Sequence, residues 1–403
     1  MSADYDVIVV GARCAGSPTA MLLASKGYRV LAVDRAVFPS DTLSTLLIHA
    51  PGVAALRRWG LLDEVLASNC PPIERYSFDF GSFTLSGSPR PAEGVAIACA
   101  PRRTVLDTIL VEAARRAGVE VRERFNVDEV IVEDGAVVGI RGHGRDGGSV
   151  LERARLVVGA DGRNSLVAKA VRPEQYNVKP KLQWAYYTFW HDLPTDGVET
   201  VIRPDRGWGA FPTNHGLTLV IVGWPRAEAD AFRADIEGNY LKTLELAPDF
   251  AERVRRATRA ERFTGGGVPN FLRKPYGPGW ALVGDAGYLK DPITAQGISD
   301  AFRDAELCAH AVDQVFAQDR AFGDAMEEYH RTRDAHVLPI YELTTQLATL
   351  EPLPPQMQQL FGTLAGNQAA MDAFVSVVAG TISPADFFDP ANLQRLTSHA
   401  PAI

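Results

Sequence analysis

The segment Gly11-Ala12-Arg13-Cys14-Ala15-Gly16 restricts the fold of this chain more than any other. It follows the apolar run Val7 to Val10 and precedes Ala20, Leu22, Leu23 and Ala24, a helical pattern that Gly27 ends. A second apolar run, Val30 to Val33, follows and stops at Asp34. Unbroken apolar strands belong in parallel sheets buried on both faces, and a glycine just past a helix is a common terminator. The segment therefore predicts a strand, a tight turn, a helix and a second parallel strand.

In a turn of this kind the first glycine bends the chain, the second lets the backbone approach a pyrophosphate, and the third packs helix against strand. Unpaired N–H groups at the helix start face the phosphates. Asp34, 18 residues beyond Gly16, suits ribose hydroxyls and disfavours an NADP 2′-phosphate at this site. Arg13 replaces the second glycine, where its guanidinium can reach a pyrophosphate directly or lie on the surface of an ordinary turn. Gly11, Arg13, Cys14, Ala15, Gly16, Asp34 and Arg35 form the expected contact set of this turn, and Val127 on a later strand joins them.

Two later segments repeat the logic of a strand that ends in an acid. Leu156 to Gly159 leads into Asp161-Gly162, and Trp280 to Val283 leads into Gly284-Asp285. After the second come Asp291-Pro292 and then Gln296-Gly297-Ile298, which open a helix predicted to reach Phe316. Asp285 can accept from a ribityl hydroxyl, and amides near Gln296, Gly297 and Ile298 can face the electron-rich edge of a flavin. Each has an ordinary explanation on its own, since Asp-Gly is a common turn pair and Asp285 could cap a helix.

In this order the motifs resemble those of the FAD-dependent monooxygenase superfamily of the para-hydroxybenzoate hydroxylase type, with its geranylgeranyl reductase-like relatives. The likeness covers residues 1 to about 316 and includes Arg103-x-x-Leu106-x-x-x-Leu110, matching a helix-start arginine beside the FAD pyrophosphate. The resemblance implies bound FAD, with Asp161 in a motif tied to FAD and pyridine-nucleotide binding, and Pro292 beside the reactive face of the flavin. It further implies NADH or NADPH as a transient reductant, molecular oxygen as co-substrate, and hydroxylation of an aromatic or polycyclic molecule through a flavin C4a-hydroperoxide. The rival activity is reduction of a C=C bond, as in the geranylgeranyl reductases. A flavin-dependent halogenase fits less well, because the GxWxxI pattern of that branch is absent, and a flavin-binding sensor without turnover is a further alternative.

The fold class expected is α/β: a Rossmann-like FAD-binding domain from 1–171 and 276–336, an inserted, mostly antiparallel substrate sheet from 172–275, and a helical C-terminal region from 337–403. Strands are predicted at Leu182 to Trp190, Glu199 to Ile202, Trp208 to Phe211 and Leu217 to Trp224. The aromatic residues Trp184, Tyr186, Trp190, Trp208 and Phe211 are the substrate-lining candidates, although alternation lets only one face of a strand meet the cavity. His49, His191 and His215 are candidate bases, and Lys290 and Asp291 could bias substrate charge.

Composition limits the remaining classes. The 41 basic and 49 acidic residues leave a net charge of -8, which repels phosphate backbones and anionic lipid, so no nucleic-acid partner is expected. Cys14, Cys70, Cys99 and Cys308 have no metal-ligand or disulfide-framework spacing, and no metal is expected. With no signal-peptide pattern and no apolar run near 20 residues, the expectation is a cytoplasmic protein without a membrane span, monomeric or homodimeric.

Overall fold

The computed structural model describes residues 4–397. Its first sheet is ordered Glu120–Glu123, Val30–Asp34, Tyr5–Val10, Ser149–Gly159 and Trp280–Leu282, all parallel, with Tyr276–Gly277 added antiparallel at one edge. Val9 lies between Ala32 and Val158, so the strands predicted from the two apolar runs are central. Alternation divides their side chains between two cores. Val7, Val9, Val30 and Val158 face the helices Gly16–Ala24, Arg103–Arg116 and Gly297–Phe316, while Ile8, Val10, Leu31 and Val157 face the other way. The second face is covered by the hairpin Asn126–Glu133 and Ala136–His143, which continues into Ser149–Gly159.

A second sheet is ordered Thr84–Gly87, Tyr76–Asp79, Val198–Arg203, Arg206–Pro212, Thr218–Pro225 and Gln183–His191, with the short strands Thr258–Arg259 and Thr264–Gly266 at its outer edge. All its pairings are antiparallel except Val198–Arg203 on Tyr76–Asp79. It therefore draws strands from residues 76–87 as well as from the segment after 172. The helices Ala229–Ala234, Ile236–Leu244 and Pro248–Arg256 cover one face around Trp190, Trp208, Trp224 and Tyr240. The other face meets the first sheet's carboxyl edge and the C-terminal helices Pro355–Leu364, Gln368–Val378 and Pro384–Phe387.

Among the described residues no helix is long and apolar enough to cross a membrane. The four cysteines are buried free thiols.

Candidate cofactor and substrate site

Motifs far apart in the sequence meet because they hold equivalent positions in one parallel sheet. Gly11 follows Tyr5–Val10, Asp34 ends Val30–Asp34, Asp161 comes just after Ser149–Gly159, and Gly284 just after Trp280–Leu282. Parallel strands end on the same edge, and that edge is where open α/β sheets bind ligands. A single cleft of about 620 Å³ runs along it, lined by Gly11, Asp34, Asp161, Asp285, Pro292 and neighbouring residues.

The glycine turn has no space for side chains at its two glycines. Gly11 has φ +98°, and a Cβ there would stand 2.4 Å from the Ala160 carbonyl oxygen; at Gly16 it would stand 1.7 Å from the Gly11 carbonyl oxygen. Asp34 accepts from the Ala12 and Ala36 amides, both at 2.8 Å, so its carboxylate fixes the turn as well as facing the cleft.

Arg13 is engaged from behind. Its guanidinium donates to the Asp107 carboxylate at 2.5 Å and to the Ser40 hydroxyl at 2.7 Å, while Arg103 donates to the other Asp107 oxygen at 2.9 Å. Cys14 donates its thiol to the same oxygen at 3.3 Å. Asp107 is fully buried, and the bracket of two guanidiniums on one carboxylate leaves one net positive charge beside the glycine turn. Burial works against the Arg103 charge, yet its anionic neighbours hold it above the ordinary value. Asp107 was not among the residues expected from sequence; its i,i+4 spacing from Arg103 was the available signal.

Asp161 accepts from the Leu166 and Val167 amides at 2.6 and 3.3 Å through one oxygen, while the other oxygen is buried without a partner. Burial raises its carboxyl above the usual range. Asp285 lies deep among protein atoms but its side chain opens onto the cleft, and burial likewise raises it, opposed by Arg103 and Lys290. Gly284, at φ +58°, donates its amide to buried Asp304 at 3.1 Å, which sets the turn that presents Asp285. Val127, Arg35, Cys14 and Ala15 also line the cleft.

The turn Pro292–Thr294 is held from several sides. Asp291 accepts from the Ile293 amide at 3.0 Å and from the Gln183 side-chain amide at 2.5 Å, and donates its own backbone N–H to Asn270 at 2.7 Å. Gln183 reaches across because the neighbouring strand carries Gly223, where a Cβ would stand 2.2 Å from the Gln183 Oε1. On the far side His49 donates from Nε2 to the Thr294 carbonyl at 3.0 Å and accepts at Nδ1 from Tyr76 at 2.9 Å, and Thr294 pairs with Thr344 at 2.8 Å. Burial lowers His49 to about 4, so it is a neutral bracket for the turn. His191 and His215 are exposed. Lys290 is buried against Asp300, which Arg303 also pairs. The helix Gly297–Phe316 begins here with Gly297 open to the cleft and Ile298 lining it, whereas the Gln296 side chain turns away to donate to the Val378 carbonyl at 2.6 Å.

The aromatic candidates fall elsewhere. Trp184, Tyr186, Trp190 and Trp208 point to the face packed by the three helices of residues 229–256, and Phe211 is buried in the core beneath the C-terminal helices. The cleft receives the alternate residues Ala185 and Tyr187, with Ile221 from the next strand. The reason is the period of two: helices 229–256 need an apolar face, and the large indoles are on it.

These residues fit FAD: glycines placed where a Cβ would collide, a net positive bracket behind the turn, an unpartnered Asp161 oxygen, and Asp285 and the Gly297 helix start open to the same cleft. Residues 4–343 match the model of a family described as "FAD binding domain". A digeranylgeranylglycerophospholipid reductase of Methanopyrus kandleri is 25% identical over 341 residues, covering 81% of each chain. A monooxygenase of Aspergillus candidus is 26% identical over 404 residues, covering 85% of this chain and 92% of that one. The solved structure of a myxobacterial chondrochloren halogenase, an FAD-dependent enzyme, shares the fold with a TM-score of 0.78 at 23% identity, over 98% of this chain and 96% of that one. The chain belongs to the FAD-binding-domain family and, by its motifs and relatives, to the FAD-dependent monooxygenase superfamily of oxidoreductases.

Proposed function

We propose that this protein is an NAD(P)H-dependent monooxygenase that hydroxylates an aromatic or polycyclic small molecule. The reading is carried by one observation: the cleft is continuous from the glycine turn to an uncharged wall of the second sheet, and the Pro292 turn lies where the two meet. Bound FAD supplies the redox chemistry. The chain's own residues do the rest. Gly11, Gly16, Asp34, Asp161 and Asp285 hold the dinucleotide, with Arg13 and Arg103 giving positive charge behind the pyrophosphate end. Gln183, Asn270 and His49 fix the Pro292 turn, while Tyr187 and Ile221 exclude water from the reacting space. NADH or NADPH visits as reductant, and no side chain need act as nucleophile.

The test is oxygen bookkeeping with the purified holoprotein. NAD(P)H oxidation should accelerate with an aromatic substrate, consume oxygen, and place one oxygen-18 atom from O2 in the product. Product that forms anaerobically with reduced flavin, saturated at a C=C bond, would replace this reading with a reductase, the activity named for the Methanopyrus relative. Halide-dependent product carrying halogen would replace it with a halogenase.

A further inference from the structure

The charges lining the cleft are not spread evenly along it. Arg13 and Arg103 share Asp107 beside the glycine turn, Arg35 follows Asp34, and Arg163 follows the Asp161-Gly162 pair, so all four attend the edge assigned to the dinucleotide. Lys290, the remaining lining cation, is buried and its ammonium is paired with Asp300.

The opposite wall comes from the second sheet and carries no charge among the described residues. Ala185, Tyr187 and Ile221 face the cleft from adjacent strands, with Gly265, Gly266 and Val268 beside them. Where this wall meets the Pro292 turn, Asp291 has no cationic partner among the described residues, and its second carboxyl oxygen has no hydrogen bond. A ligand anion placed here would lose water, gain no counter-charge, and lie near a carboxyl group, which is costly in a closed site.

We infer that the substrate part of the cleft is built for an uncharged ring compound and rejects aromatic carboxylates, with Ala185 and Ile221 setting the space available. The inference rests on the second-sheet end of the cleft being the substrate site, as proposed above. A neutral phenol is the simplest member of the class: its ring fits the apolar wall, and the Tyr187 and Ser44 hydroxyls offer neutral partners for its O–H.

Calorimetric binding to the oxidised, FAD-loaded protein without reductant tests this. The probes are 2-naphthol and 2-naphthoate at pH 7.5, alike in ring and different in charge. We expect one site for 2-naphthol, at least tenfold tighter than for 2-naphthoate. Ala185→Leu should weaken 2-naphthol at least tenfold while FAD occupancy, read by absorbance, stays at the wild-type level; Ile221→Phe should do the same and serves if the first variant does not fold. Equal or tighter binding of 2-naphthoate, no binding of 2-naphthol, or unchanged 2-naphthol affinity in a folded variant would overturn the inference. Because no turnover is read, failure here is separate from failure of the monooxygenase reading: preferential naphthol binding without oxygen-18 transfer would keep the ligand class and discard the reaction.

Discussion

Single residues in the cleft serve structure and chemistry together, and their substitution should separate the two. Asp285 opens onto the cleft with its turn fixed through Gly284 and Asp304, so Asp285→Ala should lose FAD with little loss of folding stability. Asp161 also holds the Leu166 and Val167 amides, so Asp161→Ala should lower the melting temperature and weaken FAD less. Absorbance of the purified variants reads the order, and equal FAD occupancy in wild type and both variants would contradict it. Asp291 gives a second prediction. Burial raises its carboxyl from 3.8 to about 7, so between those values the folded protein keeps a proton that the unfolded chain has released. Stability therefore falls as pH rises through that window. Asp291→Asn keeps an acceptor for Gln183 and Ile293 without the charge, so its stability relative to wild type should climb between pH 4 and 7, by roughly 2–4 kcal/mol, and level off above. Denaturant midpoints across pH measure this, and parallel curves would refute it. His49 works in the opposite sense: its lowered value means wild type and variant alike lose stability as pH falls from 6.5 toward 4, which is why the comparison is made between the two proteins.

At the scale of elements, the strand, turn and helix around Gly11 were fully legible, because an apolar run, two glycines and an acid each answer to one local physical demand. The close fit there is testable: Gly16→Ala puts a Cβ into the Gly11 carbonyl, and the expected outcome is loss of FAD binding together with a lower melting temperature. The parallel sheet was legible for the same reason, and the helix Gly297–Phe316 begins and ends at the predicted residues. Other elements had no local signal of their partner. Tyr76–Asp79 and Thr84–Gly87 are four residues each, and the first finds its place only by pairing with Val198–Arg203, more than a hundred residues later. Alternation along Gln183–His191 was visible, but which face met the cleft depended on helices 229–256, and their packing drew the tryptophans away. Asp107 escaped notice because a charged residue on a helix is usually solvated, and only the fold shows that two arginines converge on it.

For the whole molecule, the C-terminal helices are part of the core that roofs the second sheet. Phe374 lies 5.2 Å from Phe78 and 4.9 Å from Phe361, ring centre to ring centre, joining the last helices to a strand from the first quarter of the chain. Phe374→Ala should therefore cost about 3–5 kcal/mol, the range for emptying a buried aromatic site, visible as a lower denaturant midpoint. An unchanged midpoint would make the C-terminal region an appendage. The strand order carries one more consequence. Trp280–Leu282 sits directly beside Ser149–Gly159, and its following turn supplies Asp285 to a cleft begun by Gly11. During synthesis the ribosome must therefore release everything from Gly11 through Asp285 before the two ends of the nucleotide cradle can face each other. A nascent chain that has made its glycine turn holds only half a grip, and cofactor loading becomes a late event that reports on completion of the sheet.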